Sequence, residues 1–96
     1  MSAVQQPARE RDFIRIGGPQ TPRERLMRMV AAVADEHGVE PREIMSGSRR
    51  KAPSRARQDC WARLRREGLS YPQIGRMFGR DHSTVVYGVQ RWERGA

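Results

Sequence analysis

One cysteine, one lysine, two histidines and few aromatic residues form the short side of this chain's composition. Because Cys60 stands alone, no disulfide can close within the chain and no zinc site can be assembled from cysteines. A reducing, intracellular setting fits. Aromatic residues make up 6% and apolar residues 36% of the 96 residues, which suffices for one small core and no second one. No apolar run reaches the length of a signal peptide or a membrane span, so a soluble cytoplasmic protein with no membrane partner is expected. His37 and His82 each have one acidic neighbour, Glu36 and Asp81, but no spacing that would assemble a metal or acid–base site. Ser83 has no base beyond the adjacent His82, and neighbouring positions on a helix rarely give a nucleophile its geometry. These absences predict a protein that is not an enzyme and holds no metal or cofactor.

What the chain has in quantity is positive charge. Lysine and arginine number 19 against 11 acidic residues, a net charge of +8, and Lys51 is the only lysine. The planar, forked guanidinium matches phosphate oxygens and guanine edges at two points, so an arginine excess favours a nucleic-acid partner. GC-rich coding explains the preference for arginine over lysine, but not the net charge.

The chain divides at about residue 22. Residues 1–22 contain Pro7, Pro19 and Pro22, the Gly17-Gly18 pair and one short apolar patch, Phe13-Ile14-Ile16. They read as a flexible arm that could dock on the folded part or touch another protein. Residues 23–96 read as one helical domain with no strand and no internal repeat. Thr21 caps a first helix with Pro22 in its first position and Glu24 three residues on. Leu26, Met29, Val30, Val33, Ala34 and His37 follow at helical spacing, and Gly38 stops it. His37 then sits near the negative end of the helix dipole. A short second helix runs from Pro41 to Met45, turning Ile44 and Met45 to the same core. A basic loop, residues 46–53, carries Arg49, Arg50 and Lys51. Ser54 caps a third helix to about Glu67 whose apolar stripe is Ala56, Cys60, Trp61 and Leu64, with Arg57, Arg63, Arg65 and Arg66 largely off it. Cys60, Trp61 and Trp92 read as packing residues rather than as a redox site or base-stacking platforms.

Residues 69–92 have the grammar of a helix-turn-helix. A short helix opens at Ser70 with Pro72 in its first turn and carries Ile74 and Phe78; Gly79 makes the turn. A last helix follows, capped by Asp81 or Ser83, with Val85, Val86, Val89 and Trp92 along its back. Such a helix lays the side chains of its first turn on base edges in the major groove. Arg80 can bond guanine or a phosphate, Asp81 can accept from a cytosine amine, His82 can bond a base edge, and the Thr84 methyl can pack on a thymine methyl. A plain helical hairpin with a polar cap would share this pattern, although the residue types favour DNA reading.

The run Gly79-Arg80-Asp81-His82-Ser83-Thr84-Val85 resembles the Gly-Arg-Asp-His-Thr/Ser-Thr-Val signature of the C-terminal DNA-binding domain of the bacterial replication initiator DnaA. Ser70-Tyr71-Pro72-Gln73-Ile74-Gly75 is similar to that family's Ser-Leu-Pro-Glu-Ile-Gly, and Ser54-Arg55-Ala56-Arg57-Gln58 to its Ala-Arg-Pro-Arg-Gln. The resemblance spans about residues 24–93. It implies an all-α, small helical bundle with a Trp-repressor-like helix-turn-helix. It also implies double-stranded DNA as the partner, bound by a monomer at the short, asymmetric DnaA box. Asp81, His82, Ser83 and Thr84, with Arg80, would lie in the major groove, and Arg55 would enter the minor groove. Arg49, Arg50, Lys51, Arg57, Tyr71 and Pro72 would hold phosphates. Two departures stand out: one glycine instead of two before Arg80, and a stretch between Gln58 and Pro72 about one residue shorter. Both are expected to rotate the recognition helix slightly. The chain lacks a phosphate-cradling Gly-rich loop with Lys-Ser/Thr, so it is not expected to load ATP or melt an origin by itself. The expected role is a nucleoid-associated regulator of transcription or replication at DnaA-box-like sites, with a phage or mobile element as a candidate source. The alternative is a protein- or RNA-interaction module with nonspecific affinity from its basic loop.

Overall fold

The computed structural model describes residues 21–95, so the arm expected over residues 1–22, with Phe13, Ile14 and Ile16 and any protein it touches, falls almost wholly outside the described residues. Five helices and no strand follow: α1 Pro22–His37, α2 Pro41–Met45, α3 Lys51–Arg66, α4 Tyr71–Phe78 and α5 His82–Glu93. The all-α architecture is therefore the one expected.

Local chemistry sets most boundaries. At α1 the Thr21 hydroxyl accepts from the Glu24 N–H at 3.1 Å, and the Glu24 carboxylate accepts from the Thr21 N–H at 2.9 Å. At α4 Ser70 and Gln73 make the same reciprocal pair. Each satisfies backbone donors that the first helical turn leaves without partners. The start of α3 differs from the expectation. It begins at Lys51, with Arg50 as a cap residue that makes no side-chain bond, and the Ser54 N–H donates to the Arg50 carbonyl at 3.0 Å. Pro53 explains the difference. At the third helical position its missing N–H removes no helical bond, so the proline sits inside the first turn instead of marking a boundary before it. Lys51, Ala52 and Pro53 are thereby helical rather than loop residues.

The other four helices pack on α3. Leu26, Val30, Val33 and Ala34 of α1, Ile44 of α2, Ile74 and Phe78 of α4, and Val85 and Val89 of α5 close over Ala56, Cys60, Trp61, Ala62 and Leu64. Burying each Leu, Ile or Val side chain contributes about 1.5–3 kcal/mol, so this small cluster carries most of the fold. Cys60 is fully buried, and burial pushes its thiol up to about 12, an inert packing group as expected. Trp61 is 4% exposed and meets Phe78 edge to face at 5.8 Å.

Two glycines permit the closest approaches. A Cβ on Gly75 would lie 2.5 Å from the Arg80 carbonyl oxygen, so only glycine lets the turn fold back on α4. A Cβ on Gly88 would lie 2.5 Å from Cε3 and Cζ3 of Trp61, so only glycine lets α5 seat against α3.

Candidate nucleic-acid interface

The turn between α4 and α5 is held tightly. Gly79 adopts φ +66°, a left-handed conformation that costs glycine little, and ends α4. The Arg80 N–H then donates to the Gly75 carbonyl at 2.8 Å. Asp81 caps α5: its carboxylate accepts from the Ser83 N–H at 3.1 Å and from the Ser83 hydroxyl. These two bonds, the hydroxyl first, hold the Asp81 carboxyl below the usual carboxylate range. His82, Ser83 and Thr84 are exposed, while Val85, Gly88 and Val89 are buried on the back of the helix. His82 makes no hydrogen bond and no salt bridge among the described residues. The Asp81–Ser83 pair is thus committed first to building the helix start, and His82 and Thr84 are the groups left projecting from it.

Arg80 reaches sideways. Its guanidinium donates to the Ser46 carbonyl at 2.8 Å, tying the α4–α5 turn to the loop between α2 and α3. Between that loop and α5 lies an open cleft of about 610 Å³, lined by Arg49, Arg57, Arg80, Thr84, Tyr87 and Arg91 among others. The sequence reading passed over Tyr87 and Arg91 as site residues. Their signal was helical spacing from Thr84, at three and seven residues on, facing away from Val85 and Val89.

The remaining site residues divide. Arg49 and Lys51 are exposed and have no partner among the described residues. Arg50 is exposed but paired with Glu43 at 2.5 Å. Pro72 is exposed at the start of α4, and Tyr71 lies half-buried beneath the Arg65 guanidinium at 4.5 Å.

Arg57 departs from the phosphate role expected of it. It is 5% exposed. Its Nε donates to the Ile44 carbonyl at 2.8 Å, Nη1 to Ser48 at 3.2 Å, and Nη2 to Glu43 at 2.9 Å and Ser46 at 2.8 Å. Four of its five N–H groups thus tie down the end of α2 and the basic loop, so Arg57 is buried rather than off the apolar stripe of α3. Burial, and then the nearby Arg80 charge, draw its pKa below the usual arginine value. Arg55 is also engaged. Its guanidinium lies 4.4 Å over the Trp92 ring and donates to Gln58 at 3.0 Å, and it is not among the residues lining the cleft.

Among the described residues no group of three or more His, Cys, Asp or Glu side chains is placed to hold a metal ion. No helix among the described residues is long and apolar enough to cross a membrane.

A polar helix start with its apolar back buried, next to unpaired arginine, is how helix-turn-helix proteins offer a helix to the major groove. The fold and this site define the chain as a helix-turn-helix module. Residues 27–91 match the family described as bacterial dnaA protein helix-turn-helix, and the chain belongs to it. It is similar to the chromosomal replication initiator protein DnaA of Gloeobacter violaceus, 42% identical over 64 residues that cover 65% of this chain and 14% of the relative. The same-named protein of Thermus thermophilus is 36% identical over 67 residues, covering 68% of this chain and 15% of the relative. That of Caulobacter vibrioides is 39% identical over 64 residues, covering 65% and 13%. The chain therefore matches only 13–15% of the length of these relatives. No solved structure matches it.

Proposed function

We propose that this chain binds duplex DNA sequence-specifically, as a monomer, at DnaA-box-like sites, and regulates replication or transcription there. One observation carries the reading: His82 and Thr84 project unpaired from the capped start of α5, beside a cleft carrying Arg49, Arg80 and Arg91. The first turn of α5 reads base edges in the major groove, and the arginines and Lys51 bear on the flanking phosphates. Asp81 and Ser83 act chiefly by fixing the helix start from which His82 reads. Arg55 would reach a minor groove only by leaving Trp92. A single recognition helix suits an asymmetric site, since a palindrome would require two copies.

The test is binding to a DnaA-box duplex, a scrambled duplex and a hairpin RNA at physiological salt. A preference for the box is expected, and equal affinity for all three would overturn the proposal. Within it, His82→Ala is expected to cost roughly 1–3 kcal/mol on the preferred duplex and to relax discrimination at one position. Competition binding against single-base variants measures both.

A further inference from the structure

Beyond Thr84, the next side chain along the open side of α5 is Tyr87. It is 56% exposed and, with Met27, is one of two large apolar side chains left exposed among the described residues. A ring so exposed adds little to the core. Its position continues the recognition surface: three residues past Thr84 is about 4.5 Å along the helix axis, and four past Ser83 is about 40° round it. That advance slightly exceeds the roughly 3.4 Å between successive base pairs.

The surroundings turn the ring outward. Because Gly88 carries no side chain, α5 lies directly on Trp61, and the neighbouring Tyr87, about 100° round the helix, stays exposed at the cleft. One turn on, the Arg91 guanidinium lies 5.8 Å from the Tyr87 ring centroid. Both residues line the cleft that carries Arg49 and Arg80. A backbone held against those arginines brings its own bases next to the ring. In the major groove the apolar group on offer is the 5-methyl of thymine.

Resting on the reading of α5 as a groove-reading helix, we propose that Tyr87 is a specificity-determining residue. Its ring packs on the 5-methyl of a thymine about one base step beyond those read by His82 and Thr84.

The experiment starts from the preferred duplex selected by the full chain. Each thymine in turn is replaced by deoxyuridine, which removes only the methyl group. Affinities are measured for the wild type, Tyr87→Phe, Tyr87→Ala and His82→Ala. At one thymine, the exchange is expected to weaken the wild type and Tyr87→Phe about fourfold, the worth of one buried methyl. Tyr87→Ala should be indifferent there, while His82→Ala keeps the fourfold effect. Each protein is compared with itself on two duplexes, so any loss of folded protein cancels. If no thymine shows this dependence on Tyr87 while the wild type still prefers its site, the assignment is overturned and the reading of α5 stands. If the wild type does not prefer its selected duplex over a scrambled one, both fall together.

Discussion

Arginine serves opposite ends on two sides of this molecule. On the flank where α1 ends against α3, charges satisfy one another. The Asp59 side chain is 5% exposed and bonds His37 Nε2 at 2.8 Å and Arg63 Nε at 2.8 Å, and Arg63 also reaches Glu36 at 2.5 Å. The Arg63 guanidinium holds the Glu36 carboxyl below its usual range, and both carboxylates hold Arg63 above its own. His37 also meets the Trp92 ring at 5.8 Å, so it is part of a network and not merely a residue at a helix end. At the cleft and the nearby start of α3, Arg49 and Lys51 have no partner among the described residues, and Arg80 meets only a carbonyl. A net charge of +8 therefore overstates neither side alone. On the α1–α3 flank the charges largely cancel, whereas the cleft is lined by Arg49, Arg57, Arg80 and Arg91 and by no acidic residue.

Arg57 sits on the border between these regions and offers the largest test. Arg57→Ala would leave the carbonyls of Glu43, Ile44, Ser46 and Ser48 without their donor and is expected to destabilise the fold by about 3–5 kcal/mol. Arg57→Lys should rescue little, because an ammonium cannot span the four acceptors as the planar fork does. Urea unfolding measures both. If Arg57→Ala instead unfolded normally and lowered the salt dependence of binding, Arg57 would belong with the open face.

Next in size is Gly75→Ala. The added methyl would press on the Arg80 backbone, which cannot yield as a flexible side chain would, and a loss of about 1–3 kcal/mol is expected. Thermal unfolding and site affinity should fall together, since the same contact sets the angle of α5. A smaller effect is expected from Arg49→Ala, with stability within about 0.5 kcal/mol of wild type. Every duplex should weaken alike, and the slope of log affinity against log salt should shrink by about one unit. A change in stability would move Arg49 to the interior group.

The smallest effect is on the Asp81 cap. Its carboxyl titrates lower in the folded chain than in the unfolded one, so its contribution is complete above the unfolded value of about 4. That contribution is lost as pH falls through the depressed folded value. Stability curves of wild type and Asp81→Ala should therefore lie apart at neutral pH and converge in acid. Curves that stay parallel down to pH 2 would show that Asp81 caps without its charge.

The caps of α1, α4 and α5 were legible because each is a bond between residues two or three positions apart. So was the apolar back of α5, a repeat along one helix face. The start of α3 was not, because a proline reads as a boundary unless its place in the turn is known. Arg57 was misplaced because its acceptors lie 9 to 14 residues away, at the end of α2 and in the loop after it, whose path the stripe of α3 does not record. Arg55 was read as a free reader because nothing near it in sequence announces Trp92.

By itself, then, the sequence determined that the chain is helical, where four of its five described helices begin, that its last helix opens on exposed polar groups, and that it carries excess arginine. These follow from bonds and periodicities confined to a few residues. Which arginines remain available was decided only by the tertiary structure. A guanidinium on a long stem can meet a carbonyl, a carboxylate, a ring or solvent, and only the packing of distant helices determines which of them it reaches.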